Sequence, residues 1–168
     1  MYKLTIFFLF ISLNLFAQTK FKSIKYNYSF IFPDGWNIKS KIYTPDVDAK
    51  IVDGKGNSLI VTVKEFSTSA QQTVRQEMEK LSNREIEEQF DAIHGKTTIL
   101  KRGSVIIGSR EFYYIHLLTP FTNGLQLYHK TFSYNWGKKT LTIDACSIET
   151  YLDETTPAFA IMLNTFNF

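Results

Sequence analysis

A single cysteine, Cys146, stands in 168 residues, so no internal disulfide can staple the chain. Its stability must come from a packed apolar interior. Proline and glycine are scarce, at four and eight residues, and no Pro/Gly/Ser-rich linker or low-complexity tract divides it. No internal repeat is present either. An excess of one charge is also missing. Nineteen Lys and Arg against sixteen Asp and Glu give +3, too mild to make nucleic acid the main partner. None of the three histidines sits in an H-x-x-x-H or H-E-x-x-H arrangement, which leaves a zinc site without local support. Gly54-Lys55-Gly56 lacks phosphate-loop spacing, no Gly-x-Ser-x-Gly elbow occurs, and Asp46, Asp48 and Asp53 are too irregular for a calcium loop. The sequence calls for no cofactor and no metal.

What the chain does hold in quantity is aromatic: fifteen Phe, nine Tyr and two Trp, 15% of the whole. A single domain of this length buries roughly 70% of its extended surface, and these rings are ample material for it. Five of them belong to another feature. Lys3, the apolar run Leu4 to Leu13 and the segment Asn14-Leu15-Phe16-Ala17 read as the three regions of a secretory signal. The run is broken at Ser12 and Asn14 and is shorter than the about 20 apolar residues of a membrane span. No cysteine lies near the cut to carry a lipid. The expectation is a signal peptide over residues 1–17 and one domain over 18–168, exported to the periplasm or secreted, with no later membrane span.

Within that domain the hydrophobic period changes twice. Residues 26–32 read as a strand, Pro33-Asp34-Gly35 as a tight turn, and 36–43 as a second strand closing a hairpin. Strands over 49–52 and 58–64 flank the turn 53–57, with Leu59, Val61 and Val63 on one face. From Ser69 the period is helical. Ser69 with Gln72, and Ser82 with Glu85, form two capping-box signatures, which predicts two helices or one bent helix. Strands then return over 97–101, 104–107, 111–119, 125–136 and 140–148. Thr156 is placed to cap a last helix with Pro157 in its first position. Phe159, Met162, Leu163 and Phe166 line one side of that helix. The order predicts an α+β fold: an α/β/α sandwich with a twisted antiparallel sheet covered by helices.

Phe32-Pro33-Asp34-Gly35-Trp36 near the start and Leu163-Asn164-Thr165-Phe166 near the end, with strands, helix and late hairpin between, resemble PsbP-like domains. That group takes in DcrB-like envelope proteins and a Ran-binding import factor. The resemblance implies an assembly factor or binding module and carries over no catalytic residue. Trp36 itself reads as structural, its ring folding back over the hairpin.

Two candidate sites follow. On strand 125–136 the alternation puts Tyr128, Lys130, Phe132, Tyr134 and Trp136 on one face. Tyr128, Lys130, Tyr134 and Trp136 are the candidate ligand-binding residues, for an envelope protein partner, a small hydrophobic ligand or a stacked sugar. The same row under a covering helix is core. The second candidate is a small hydrolase using His116, His129, Asp144 and Cys146, with the two histidines facing each other across the turn at 120–124. No flanking motif supports that nucleophile, and the sequence favours a non-enzymatic module.

Overall fold

A computed structural model of the chain describes residues 18–40, 44–65 and 73–168. The expected signal peptide at 1–17, the expected strand end at 41–43 and the expected Ser69–Gln72 capping box lie outside the described residues.

Among the described residues nine strands and three helices follow in order. They are β1 (Gln18–Lys22), β2 (Ser29–Pro33), β3 (Asn37–Ile38), β4 (Val47–Val52), β5 (Ser58–Glu65), α1 (Val74–Met78), α2 (Asn83–His94), β6 (Thr98–Ile107), β7 (Arg110–Pro120), β8 (Gln126–Trp136), β9 (Lys139–Ile148) and α3 (Leu152–Asn164). Seven strands make one antiparallel sheet in the order β3-β4-β5-β9-β8-β7-β6, and β1 pairs with β2 in a separate two-stranded sheet. Alternation gives the large sheet two apolar faces. On one face Ile51, Leu59, Val61, Leu141, Ile143 and Phe132 pack against Phe159 and Met162 of α3 and against Phe30 and Phe32 of β2. On the other, Ile99, Tyr113, Ile115 and Leu117 meet Ile86 of α2, with Met78, Leu81 and Phe90 beside it. Helices therefore lie on both faces, and the α+β class expected from the sequence is the one observed.

Local signals explain most of the elements. Ser82 Oγ accepts from Glu85 N–H at 3.2 Å and Glu85 Oε2 accepts from Ser82 N–H at 2.7 Å, the reciprocal cap that starts α2. Helix α1 starts from an equivalent box between Thr73 and Gln76. The chain end is pinned by aromatic stacking, with Phe166 5.1 Å from Tyr28 and 5.4 Å from Phe30. Gly108, at φ +59, lets the backbone pass there: a Cβ would lie 2.7 Å from Phe166 O.

Three expectations are corrected. The turn at Pro33-Asp34-Gly35 closes no hairpin, because β2 pairs with β1 while the short β3 pairs with β4. It is a crossover between the two sheets, and it sends Trp36 onto α3, 5.5 Å edge-on from Phe159. Trp36 is buried, as expected, but against a helix. Arg102-Gly103 does not break a strand, since β6 runs through it unbroken. Thr156 caps nothing. Helix α3 already begins at Leu152, Thr156 Oγ1 donates to Leu152 O at 2.7 Å, and Pro157 lies inside the helix on its exposed side. Thr155 Oγ1 donates to Ser147 Oγ at 2.8 Å, fastening this early first turn to β9. The carbonyl that Pro157 leaves without a donor belongs to exposed Asp153, where water can take it.

Candidate functional site

Helix α3 lies over β2 and β9 and leaves the outer strands uncovered on the same face. Between the helix and β6, β7 and β8 a cleft of about 590 Å³ results, within the usual range for small-molecule sites of roughly 300–1,000 Å³. Its floor is Tyr114 and Phe132, and its helical wall is Thr156, Phe159, Ala160, Leu163 and Asn164. Val105, Ile106 and Ile107 of β6 close the outer side, and Lys101, His116 and Lys130 occupy the remaining floor. Tyr114 can lie flat because Gly103 is its cross-strand partner: a Cβ on Gly103 would meet the tyrosine ring and hydroxyl at 3.2–3.3 Å.

The polar part of the cleft is a product of register. His116 pairs with Lys101 on one side and with Lys130 on the other, so the three side chains form one row on one face. Adjacent strands are about 4.8 Å apart, which sets the two lysine backbones about 10 Å apart. Two like charges at that distance repel by about 0.4 kcal/mol in water and about 1.7 kcal/mol at a protein-surface dielectric. Burial, with Lys130 and Lys101 adding to it, depresses the His116 imidazole to about 4, so it is neutral at pH 7. Burial also pushes the Lys130 ammonium down from its ordinary value. Among the described residues no Asp or Glu lines the cleft.

The sequence-predicted residues divide. Lys130 lines the cleft. Tyr128 stands at its edge, its ring 5.6 Å from Lys130 Nζ and 6.1 Å from the His116 ring. Tyr134 and Trp136 share the face but are covered at the other end of the strand by Phe168, at 6.1 and 6.4 Å. Arg110 lies over Tyr134 and Lys139 over Trp136, so these two rings are partly buried and form no open platform. Sequence reasoning missed Lys101, Tyr114 and the α3 wall. The usable signal was strand parity. Lys101 and Tyr114 alternate inward on their strands, but only the exact pairing brings Lys101 beside Lys130.

The hydrolase set is brought together in part. His129 Nδ1 lies 3.3 Å from Asp144 Oδ2, and His129 Nε2 lies 3.9 Å from Cys146 Sγ. Thr131 Oγ1 donates to Asp144 Oδ1 at 3.0 Å, and Thr119 Oγ1 is 3.2 Å from the same Nε2. Burial lowers the His129 pKa, but hydrogen bonding to Asp144 and Cys146 and the Asp144 charge outweigh it and hold the imidazole up to about 10. His116 is not part of this group. Its partner is Lys130, whereas His129 pairs with Leu117, so the two histidines lie on opposite faces. The turn holds one residue more than a centre at 122 allows: Pro120 pairs with Gln126, and Asn123 takes φ +59 inside a 3-10 turn. A one-residue slip moves every side chain to the other face. Among the described residues no His/Cys/Asp/Glu group could hold a metal ion, and no helix is long and apolar enough to cross a membrane.

No protein-family model matches the chain, and no curated protein matches it by sequence. Solved structures match it by shape. The solution structure of the cyanobacterial PsbP protein (CyanoP) of Synechocystis is similar at a TM-score of 0.64 and 16% identity, over 92% of this chain and 94% of that one. LpqN of Mycobacterium tuberculosis is similar at 0.57 and 9% identity, over 90% and 84%. A Bacteroides thetaiotaomicron protein is similar at 0.59 and 11% identity, over 88% of this chain and 47% of that longer one. At these identities the likeness is one of architecture. With its seven-stranded antiparallel sheet, crossover turn at Trp36 and closing helix, the chain has the PsbP-like fold.

Proposed function

We propose that the chain is an exported, non-enzymatic binding module that holds a hydrophobic small molecule between α3 and the outer strands. One observation carries this reading: a cleft of about 590 Å³ floored by Tyr114 and Phe132 and walled by Phe159 and Leu163. Apolar lining with a few convergent polar groups is the usual make-up of a ligand pocket. LpqN, which shares the fold, is involved in cell envelope biogenesis, and an envelope setting suits a module of this kind. The test is chemical-shift mapping with a neutral detergent monomer such as dodecyl maltoside. Shifts concentrated at Val105, Phe132, Phe159 and Leu163 support the proposal. Ala160 is exposed on the cleft side of α3, so Ala160→Trp should fill the space and abolish those shifts without unfolding the domain. Shifts that survive this change, or that fall on the opposite face, would count against it.

A thiol hydrolase is the second reading, favoured by the alignment of Cys146, His129 and Asp144. Against it, Cys146 and His129 are buried, the Thr119 hydroxyl shares the same imidazole nitrogen, and the cleft lies on the other face of the sheet. Rapid alkylation of Cys146 by iodoacetamide near neutral pH would favour the enzyme. Protection until the domain unfolds would favour the module.

A further inference from the structure

Resting on the cleft reading above, we infer that the ligand is a single-headed amphiphilic anion, an acyl chain ending in a carboxylate or phosphate, whose head sits on the cross-strand row Lys101, His116 and Lys130. Lys25, Lys55, Arg75, Arg84 and Lys139 each pair with a carboxylate. Lys101 and Lys130 are in no ion pair among the described residues; exposed lysines such as Lys20, Lys39 and Lys96 share that condition, but Lys101 and Lys130 meet in one cleft. Their ammonium groups lie near the rings of Tyr114 and Tyr128, at 5.9 and 5.6 Å, and both line a cleft without an acid. Two cations without a carboxylate partner flanking a half-buried imidazole, on one row of a sheet, form an arrangement that an anion would complete.

The apolar part of the cleft determines what else the ligand carries. One row beyond the lysines, Gly103, Tyr114 and Phe132 pair across the same three strands, with Val105 next along β6. Phe159 and Leu163 face them from α3. A bare anion would use the lysines and leave this surface wet. A neutral chain would cover the surface and leave the lysines uncompensated. A chain with one acidic head uses both, with the head at Lys101 and Lys130 and the tail running past Phe132 toward Val105 and Leu163.

The test is titration calorimetry with probes of one chain length, kept below their aggregation concentrations: dodecyl phosphate, dodecanoate, dodecyl maltoside, dodecyltrimethylammonium and inorganic phosphate alone. The two anionic probes should bind at least about tenfold more tightly than the maltoside, the ammonium probe most weakly of the four chains, and phosphate alone should not bind. Lys101→Gln and Lys130→Gln should each weaken the anionic probes about 3- to 10-fold and steepen no salt dependence. In both variants the anionic probes should lose more affinity than dodecyl maltoside does, and an unchanged circular dichroism spectrum and melting temperature should show that folding is kept. Equal binding of maltoside and anions, or anion affinity untouched in both variants, overturns the head-group assignment while the cleft reading stands. Phosphate binding as tightly as dodecyl phosphate overturns the amphiphile. If no twelve-carbon probe binds, both readings fall.

Discussion

Acidifying the solution from about pH 7 to about pH 5 should weaken the fold by about 1 kcal/mol through one side chain, His116. Its imidazole titrates at about 4 in the folded protein because burial and the neighbouring Lys130 and Lys101 resist a third positive charge. In the unfolded chain it titrates near 6.5. Between those values the unfolded state binds the extra proton, so stability is fully present above about pH 6.5 and is lost as pH falls toward 4. Each unit of separation is worth 1.36 kcal/mol, and the loss accumulated by about pH 5 is about 2 kcal/mol. Half of that is discounted because His116 is only partly buried and solvent screens it. His129, held up to about 10, adds a slope of the opposite sign as the unfolded imidazole protonates around pH 6.5, but it does so equally in the parent and in a His116 variant and cancels in their difference; ordinary carboxylates enter only below about pH 5. Urea denaturation at intervals across this range, for the parent and for His116→Gln, measures the effect. The variant should lose about 1 kcal/mol of pH dependence. Parallel stability curves for the two proteins would exclude His116 as the source of this pH dependence. A bound anion on the same row should raise the imidazole pKa, and an NMR titration with and without dodecyl phosphate would record it.

Three further outcomes follow from the same structure. His129→Gln should remove stability that is present below about pH 6.5 and fades as pH rises toward 10, so that parent and variant melting curves converge in alkaline solution. Asn57 is fully buried, and its Oδ1 accepts from Ile148 N–H at 2.9 Å and from Ser147 Oγ at 3.2 Å. Asn57→Ala should cost about 2–4 kcal/mol in chemical denaturation, because it strands a buried backbone donor. Gly108→Ala should cost at least about 1–2 kcal/mol, since a side chain at φ +59 is strained and its Cβ would press on Phe166 O.

Much of this architecture was legible from local chemistry. The Ser82–Glu85 box starts α2 where it was expected, and the alternation along β5 and β8 placed their buried faces correctly. These features depend on residues within a few positions of one another. What escaped depended on distant partners. β1 offers only Gln18 to Lys22, with little apolar signal, and exists because β2 needs an edge partner. α3 starts at Leu152 because Thr155 reaches Ser147 of β9, while the sequence pointed to Thr156 and Pro157. The candidate row on β8 was read on the right face, yet its Tyr134–Trp136 end is closed by Phe168, thirty-two residues beyond Trp136. Lys130 became part of a site only when the turn at Asn123 set the register that puts it beside His116.

The most direct measurement is a crystal structure of residues 18–168 with dodecyl phosphate. Phosphate oxygens should lie within hydrogen-bond distance of the Nζ atoms of both Lys101 and Lys130, with the alkyl chain between Phe132 and the Phe159–Leu163 face of α3. A phosphate bound away from both lysines, or a chain lying on the Cys146 face of the sheet, would rule out this mode of binding.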